Sequence, residues 1–201
     1  MDGACKNKAI RAGVLCIVSP GNDDPLYVDE IIDEFECDYL VNGNSHIVNL
    51  DGGIEVISEG YSNPTPWDTP REVPENKLKE MIKSKAAKLK NPDKAIFNIH
   101  VPQFNTPIDV APILDSELLP VMQGGSPLMG HMGSTAVREV IEMYQPCLGL
   151  HGHIHESKGY TRIGRSTCFN PGSEYNEGVL LGVILTISPE KGLKDVQFVS
   201  G

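Results

Sequence analysis

The sequence lacks the features that would place it in a membrane or hold it together by disulfides. Its longest apolar stretch, residues 179–187, falls far short of the roughly 20 residues that a membrane helix needs. Its first residues hold no apolar segment typical of a signal peptide. The five cysteines are odd in number, widely spaced and without a C-x-x-C pair. We therefore expect a reduced cytoplasmic protein with no membrane partner.

Positive charge is also scarce. Lys and Arg number 17 against 27 Asp and Glu, which gives a formal net charge of -10. Nonspecific nucleic-acid binding depends on Lys and Arg, so this balance argues against a nucleic-acid partner. The lysines within residues 77–90 fit the solvated face of a helix. An acidic protein can still process a phosphate ester if bound cations supply the positive potential.

Strand and helix patterns alternate along the chain. Short apolar runs at 14–18, 95–99, 147–150 and 179–187 predict buried strands. Helices are predicted after an Asp24 cap, over residues 75–90 and, after a Ser134 cap, through Tyr144. Residues 60–74 are rich in Pro, Thr and Asn and predict a long loop. Without a repeat or linker, we interpret residues 1–201 as a single α/β domain.

The histidine turn Gly152-His153-Ile154-His155 follows one of these strands. Two imidazoles separated by one residue, on a turn that leaves a strand, can point toward a shared position. Histidine is the commonest protein ligand of transition metals, so the pair is a candidate metal site.

Two other strands end in the same way, in Gly21-Asn22-Asp23-Asp24 and in His100. Ligands of open α/β sheets bind outside the carboxyl ends of the strands. If the three strands are neighbours, Asn22, His100, His153 and His155 converge. Three imidazoles and an amide oxygen suit Mn, Fe, Co, Ni or Zn rather than Ca or Mg.

The chain resembles the calcineurin-like metallophosphoesterases over nearly its whole length. The resemblance rests on the order of Gly21-Asn22-Asp23-Asp24, His100 and Gly152-His153-Ile154-His155, followed by Asn170-Pro171-Gly172-Ser173. This resemblance implies an α/β/β/α sandwich with a two-metal site. Asn22, His100 and His153 would bind one metal and His155 the other. It also implies metal-dependent hydrolysis of a small phosphate ester, most simply a phosphodiester, by a metal-activated water.

The sequence departs from the family in two ways. The opening motifs D-x-H and G-D-x-x-[DG] are absent, which suggests a C-terminal portion without the first strands. We then expect at most one weakly bound metal and an exposed sheet edge through which the chain could form a homo-oligomer. Second, Asp23 stands where many members carry a His that protonates the leaving group; Asp23 would need a raised pKa to do so.

Several assignments have alternatives. His131 is a candidate contact to the substrate phosphate, or else a loop residue. Trp67 lines a substrate pocket or anchors its loop. His151 and His46 are more simply structural. The alternative to an enzyme is a catalytically inactive fragment of this fold that serves as a scaffold or interaction module.

Overall fold

The computed structural model describes residues 13–201; residues 1–12, with Cys5, lie outside the described part of the chain. The described helices are α1 (Val28–Glu34), α2 (Glu75–Ala86) and α3 (Thr135–Tyr144). The described strands are β1 (Cys16–Val18), β2 (Leu40–Asn42), β3 (Val48–Leu50), β4 (Ile54–Glu59), β5 (Ile96–Ile99), β6 (Val110–Pro112), β7 (Met122–Gln123), β8 (Ser126–Pro127), β9 (Met129–His131), β10 (Leu148–Leu150), β11 (Gly159–Ile163), β12 (Ser166–Asn170), β13 (Leu181–Ser188) and β14 (Gly192–Ser200). The fold is mixed α/β, as the alternating pattern predicts.

A six-stranded sheet lies at the centre, in the order β11-β12-β10-β5-β4-β3. Its four inner strands are parallel, and the edge strands β3 and β11 run antiparallel to their neighbours. Gly149 of β10 lies opposite Phe97 of β5 on one side and Cys168 of β12 on the other. The carboxyl ends of β5 and β10 therefore meet at one edge, where Gly152 N donates to His100 O at 2.8 Å. Homo-oligomerisation through a sheet edge stays a prediction.

Helices α2 and α3 cover one face of this sheet. Leu78 and Ile82 of α2, and Val137 and Ile141 of α3, are fully buried in the same cluster as Phe97. Each helical pair is four residues apart, which places both side chains on one face of its helix. The burial of this apolar stripe against the sheet is the main reason that short helices of this kind are stable.

The opposite face is covered by the antiparallel hairpin of β13 and β14. Val183 and Phe198 of the hairpin pack against a buried cluster that contains Ile96, Leu148 and Phe169. The inner strands are thus buried on both faces, which explains why they read as continuous apolar runs without polar alternation.

One expectation about neighbours is wrong. Strand β1 does not join β5 and β10 but pairs in parallel with β2, in a separate two-stranded sheet. Ile17 Cγ2 and Ser58 Oγ lie 2.7 Å and 2.6 Å from where a Cβ would stand on Gly43, so the small sheet packs against the end of β4. Asn22 therefore reaches the central sheet through packing contacts.

Two helix boundaries also differ from the prediction. Helix α1 begins at Val28 because the Asp24 carboxylate accepts a hydrogen bond from Gly21 N at 2.7 Å, which closes a turn instead of capping a helix. Helix α2 ends at Ala86, short of Lys90, since Lys90 N turns away to donate to Glu55 Oε2 at 2.8 Å. Helix α3 begins as predicted, with Ser134 Oγ accepting from Val137 N at 3.1 Å.

Cys37, Cys147 and Cys168 are in the reduced thiol form. Across residues 13–201, each helix is too short or too polar to cross a bilayer.

Candidate functional site

Asn22, His100 and His153 meet at the carboxyl edge of the central sheet. Asn22 Oδ1 lies 2.9 Å from His100 Nε2 and 3.0 Å from His153 Nδ1. The two imidazole rings meet edge to face, with centroids 5.2 Å apart. The three residues follow β1, β5 and β10, so the convergence predicted from the strand-end pattern occurs for these three side chains.

The orientation of the Asn22 amide is fixed by its nitrogen. Asn22 Nδ2 donates to Thr69 Oγ1 at 2.8 Å and to Asp23 Oδ1 at 3.1 Å. Thr69 Oγ1 in turn donates to Glu72 Oε1 at 2.7 Å. Because an amide nitrogen is a donor only, these contacts leave the amide oxygen directed at the two histidines.

The approach of the Asn22 loop to the sheet depends on glycine. A Cβ on Gly21 would lie 2.8 Å from His100 Cε1, and a Cβ on Gly60 would lie 2.3 Å from Pro20 O. Any side chain at either position would push the loop away from β5. Close backbone approach is therefore a structural requirement of this site.

Burial keeps both histidines neutral. Burial lowers the pKa of His100 to about 3, helped by the repulsion of His153, His155 and His151. Burial also lowers the pKa of His153 to about 4, although the nearby Asp23 charge works in the opposite direction. A neutral imidazole offers a lone pair, so both rings are suited to coordinate a cation at neutral pH.

His153 also adopts an uncommon backbone conformation, with φ at 61°. Residues other than glycine in this region carry a modest strain that the surrounding structure must sustain, and such strain is concentrated at functional sites. Here the left-handed turn directs Nδ1 of His153 back toward Asn22.

The donor set fits one transition metal. Two donors bound to one metal at about 2.0–2.2 Å and at right angles lie roughly 3 Å apart, which matches the 2.9 Å and 3.0 Å separations from Asn22 Oδ1. Within residues 13–201, no three His, Cys, Asp or Glu side chains are gathered to hold a metal. The site consequently depends on the Asn22 amide as its third donor.

His155 and Asp23 lie beside this cluster without joining it. His155 is exposed, and its ring packs edge to face on Tyr175 with centroids 5.5 Å apart. It is close enough to lower the pKa of both His100 and His153. Asp23 is held by the Asn22 amide and lines the same cleft. The four predicted metal-binding residues are thus neighbours, with only three of them in mutual contact.

His131 lines the same cleft and is held by a residue that the sequence did not single out. His131 Nδ1 donates to Asp109 Oδ1 at 2.8 Å, and Asp109 is fully buried. The Asp109 carboxylate also accepts from the backbone N–H groups of Thr106 at 2.8 Å and Gly133 at 3.1 Å. Both oxygens of the Asp109 carboxyl group thus act as acceptors, and Oδ1 is the partner of His131 Nδ1. Nε2 is then the His131 nitrogen that remains for contacts in the cleft.

A cleft of about 1120 Å³ connects these groups. Its lining includes Asn22, Asp23, His100, His131, His153 and His155. Among the described residues that line it, none is a lysine or an arginine. The negative charge of a phosphate in this cleft would therefore need a bound cation or protonated histidines to balance it.

His151, the first histidine of this turn, has a structural role. Its Nδ1 donates to Ile99 O at 2.8 Å, and burial lowers its pKa to about 4. An unfolded chain takes up a proton near pH 6.5, whereas the folded chain does not until about pH 4. Stability is then complete above pH 6.5 and is lost as the pH falls toward 4, by roughly 3 kcal/mol for this residue.

We expect urea unfolding of the chelator-treated protein to show this loss between pH 7 and pH 4.5. His151→Gln should flatten part of the pH dependence, whereas His46→Gln at the exposed surface should leave it unchanged. An equal free energy of unfolding at both pH values would contradict the assignment.

Comparisons with known proteins add the following. No family model matches the chain. The uncharacterized protein MJ1162 of Methanocaldococcus jannaschii is 32% identical over 161 residues, which is 79% of this chain and 63% of that protein. The chain thus spans less than two thirds of this relative.

Two solved structures share the fold. One crystal structure superposes with a TM-score of 0.65 at 21% identity, over 94% of this chain and 66% of that one. The crystal structure of TT1561 of Thermus thermophilus gives a TM-score of 0.52 at 18% identity, over 92% of this chain and 71% of that one. At these identities the likeness concerns the α/β fold alone.

Proposed function

We propose that this protein is a metal-dependent phosphoesterase of the calcineurin-like kind, acting on a small phosphodiester. The observation that carries the proposal is the contact of Asn22 Oδ1 with His100 Nε2 at 2.9 Å and His153 Nδ1 at 3.0 Å. These donors line a large cleft that lacks lysine and arginine among its described residues.

The finer architecture is part of the same proposal. Helices on one face of the central sheet and a β-hairpin on the other support three layers of an α/β/β/α sandwich. The complete family fold would also hold the metal-binding segments that carry D-x-H and G-D-x-x-[DG], which this sequence lacks.

Each residue then has a defined task. Asn22, His100 and His153 would hold a Mn, Fe, Zn, Co or Ni ion, and in the complete two-metal site of the family His155 would contact the second ion. A bound divalent metal supplies a Lewis acid and a water of lowered pKa. Asp23 holds the Asn22 amide nitrogen and orients water beside it.

His131 lines the same cleft and would contact the substrate phosphate. Asp109 holds its Nδ1–H at 2.8 Å and so sets the ring orientation and tautomer. In its protonated form, His131 would donate from Nε2 to a phosphoryl oxygen or to the departing oxygen. Asp109 is thus a positioning residue that acts through His131.

The test is hydrolysis of bis(p-nitrophenyl) phosphate by the purified chain, first stripped with chelator and then given single metals. We expect the chelated protein to be inactive and Mn or another transition metal to restore p-nitrophenolate release, whereas Ca should not. Absence of hydrolysis with every metal would overturn the proposal for this chain. It would favour the alternative, an inactive scaffold of the same fold.

A further inference from the structure

The cleft is lined by two chemically different groups of residues. One group comprises the histidines and Asn22, as described above. The other group is apolar and comprises Pro64, Pro66, Trp67, Pro112, Ile113, Leu114, Leu118 and Pro120. A phosphate bound by the histidines would leave its esterified groups to contact these apolar side chains.

Charge in the cleft is of one sign. The charged residues that line it, apart from histidine, are Asp23, Asp24 and Glu156. With no described lysine or arginine among the lining residues, an additional anionic group on the substrate would meet repulsion without a partner. Like charges that face each other in a cleft oppose binding, so the lining of this cleft disfavours substrates with anionic esterified groups.

Trp67 is presented on a preformed loop. Its side chain is 59% exposed at the cleft. The loop is fastened by the Glu72 carboxylate, which accepts from Thr65 N at 2.8 Å and from Thr69 N at 3.0 Å. The same Thr69 hydroxyl binds the Asn22 amide at 2.8 Å. The backbone of the Trp67 loop is therefore fastened to the metal-ligand candidates, which lowers the ordering cost of a contact with this loop.

The segment of Ile113, Leu114 and Leu118 is also ordered by backbone hydrogen bonds. Ile113 N donates to Leu128 O at 2.8 Å, and Val121 N donates to Ile113 O at 2.8 Å. The turn that carries Leu118 is closed by Asp115 Oδ1, which accepts from Leu119 N at 3.0 Å. Apolar side chains of this segment and of the Trp67 loop thus line one cleft, and its volume of about 1120 Å³ leaves room for an aromatic or alkyl group.

We propose that the cleft selects phosphodiesters whose esterified groups are uncharged and apolar, aromatic groups above all, with Trp67 and the wall of Ile113, Leu114 and Leu118 as the binding surface. This inference rests on the proposed function for the position of the phosphate. It excludes nucleic acids, nucleoside polyphosphates and other polyanions as preferred substrates.

Trp67 provides a readout that is independent of catalysis, since the chain contains one tryptophan. The Mn-supplied protein is titrated with diphenyl, dimethyl and bis(4-carboxyphenyl) phosphate while the tryptophan fluorescence is followed. All three place one diester anion at the metal, and they differ in apolar area or in added charge. We expect diphenyl phosphate to change the emission and to bind at least about tenfold more tightly than either of the others.

Two variants sharpen the test, with affinities measured by calorimetry. Trp67→Ala should reduce the preference for diphenyl over dimethyl phosphate, whereas Tyr160→Ala, which removes an equally exposed ring outside the cleft, should leave it intact. Leu114→Lys should raise the relative affinity of the carboxylated diester several-fold by supplying the missing cation.

Equal affinity for diphenyl and dimethyl phosphate, or tighter binding of the carboxylated diester to the unmodified protein, would overturn the inference. Either result is compatible with metal-dependent hydrolysis of bis(p-nitrophenyl) phosphate, so the proposed function would stand. Conversely, selective binding of diphenyl phosphate without any hydrolysis would support the proposed selectivity of the cleft and contradict the proposed phosphoesterase function.

Discussion

His153→Ala is expected to lower metal-dependent hydrolysis of bis(p-nitrophenyl) phosphate by more than about 100-fold, together with the affinity for Mn. Changes to residues that merely orient a metal ligand already cost roughly 10–100-fold, and His153 Nδ1 lies in the donor cluster itself, 3.0 Å from Asn22 Oδ1. Metal content by mass spectrometry and the rate on the diester are the two measurements.

The backbone at His153 calls for a companion variant. Its φ of 61° is strained for alanine and easily adopted by glycine. The same loss in His153→Gly assigns the effect to the missing imidazole instead of a distorted turn. His46→Ala is the matched control, because His46 is half exposed and pairs only with Glu36 at the surface. Unchanged metal content in both His153 variants would contradict the ligand assignment.

Arg71→Met is expected to lower the free energy of unfolding by about 2–3 kcal/mol, since it leaves the partly exposed Asp29 carboxylate and the backbone acceptors of Arg71 without their donor. The Arg71 side chain is 1% exposed and pairs with Asp29 at 2.6 Å. It also donates to the backbone oxygens of Asp24 at 2.9 Å and Pro25 at 2.9 Å. Burial acts to raise the pKa of Asp29, but the hydrogen bonds of Arg71, Asn44 and Asn42 outweigh it and hold that pKa below its ordinary value.

The loss should extend to the site, because Arg71 fastens the loop that follows Asn22. Arg71 N also donates to Asn22 O at 3.1 Å, a bond that a methionine retains. Urea unfolding and Mn affinity are the measurements, and Arg165→Met is the control. Arg165 is exposed and lies 3.9 Å from Asp93, so its removal should change stability by less than about 1 kcal/mol. Equal stability of the two variants would show that the Arg71 network contributes little.

The sequence predicts well where residue type alone constrains structure. Buried strands appear as apolar runs, and the position of His100 and His153 after two such runs predicts that they meet, because β5 and β10 are neighbours. Asn22 joins them although its strand lies outside the central sheet. Ser134 is recognisable as a cap because its hydroxyl has one common use ahead of a helix. In contrast, the Asp24 carboxylate can either cap a helix or accept a hydrogen bond within a turn. In the structure it accepts from Gly21 N and closes a turn.

The features that the sequence does not reveal depend on contacts between distant segments. Asp109 has no pattern around it that indicates a partner, yet the fold brings it 2.8 Å from His131. Glu72 is one of several acidic residues in its region, and its role emerges only when Thr65 and Thr69 fold onto it. The pairing of β1 with β2 is set by packing against β4, which local periodicity does not encode.

The separate small sheet of β1 and β2 has a consequence for how occupancy and architecture are linked. Asn22 belongs to the segment that leaves this sheet, whereas His100 and His153 belong to the large one. An ion held by all three residues would bridge the two sheets. A substitution that weakens the packing between the sheets would then lower the metal affinity, and metal binding would stabilise that packing, by thermodynamic linkage.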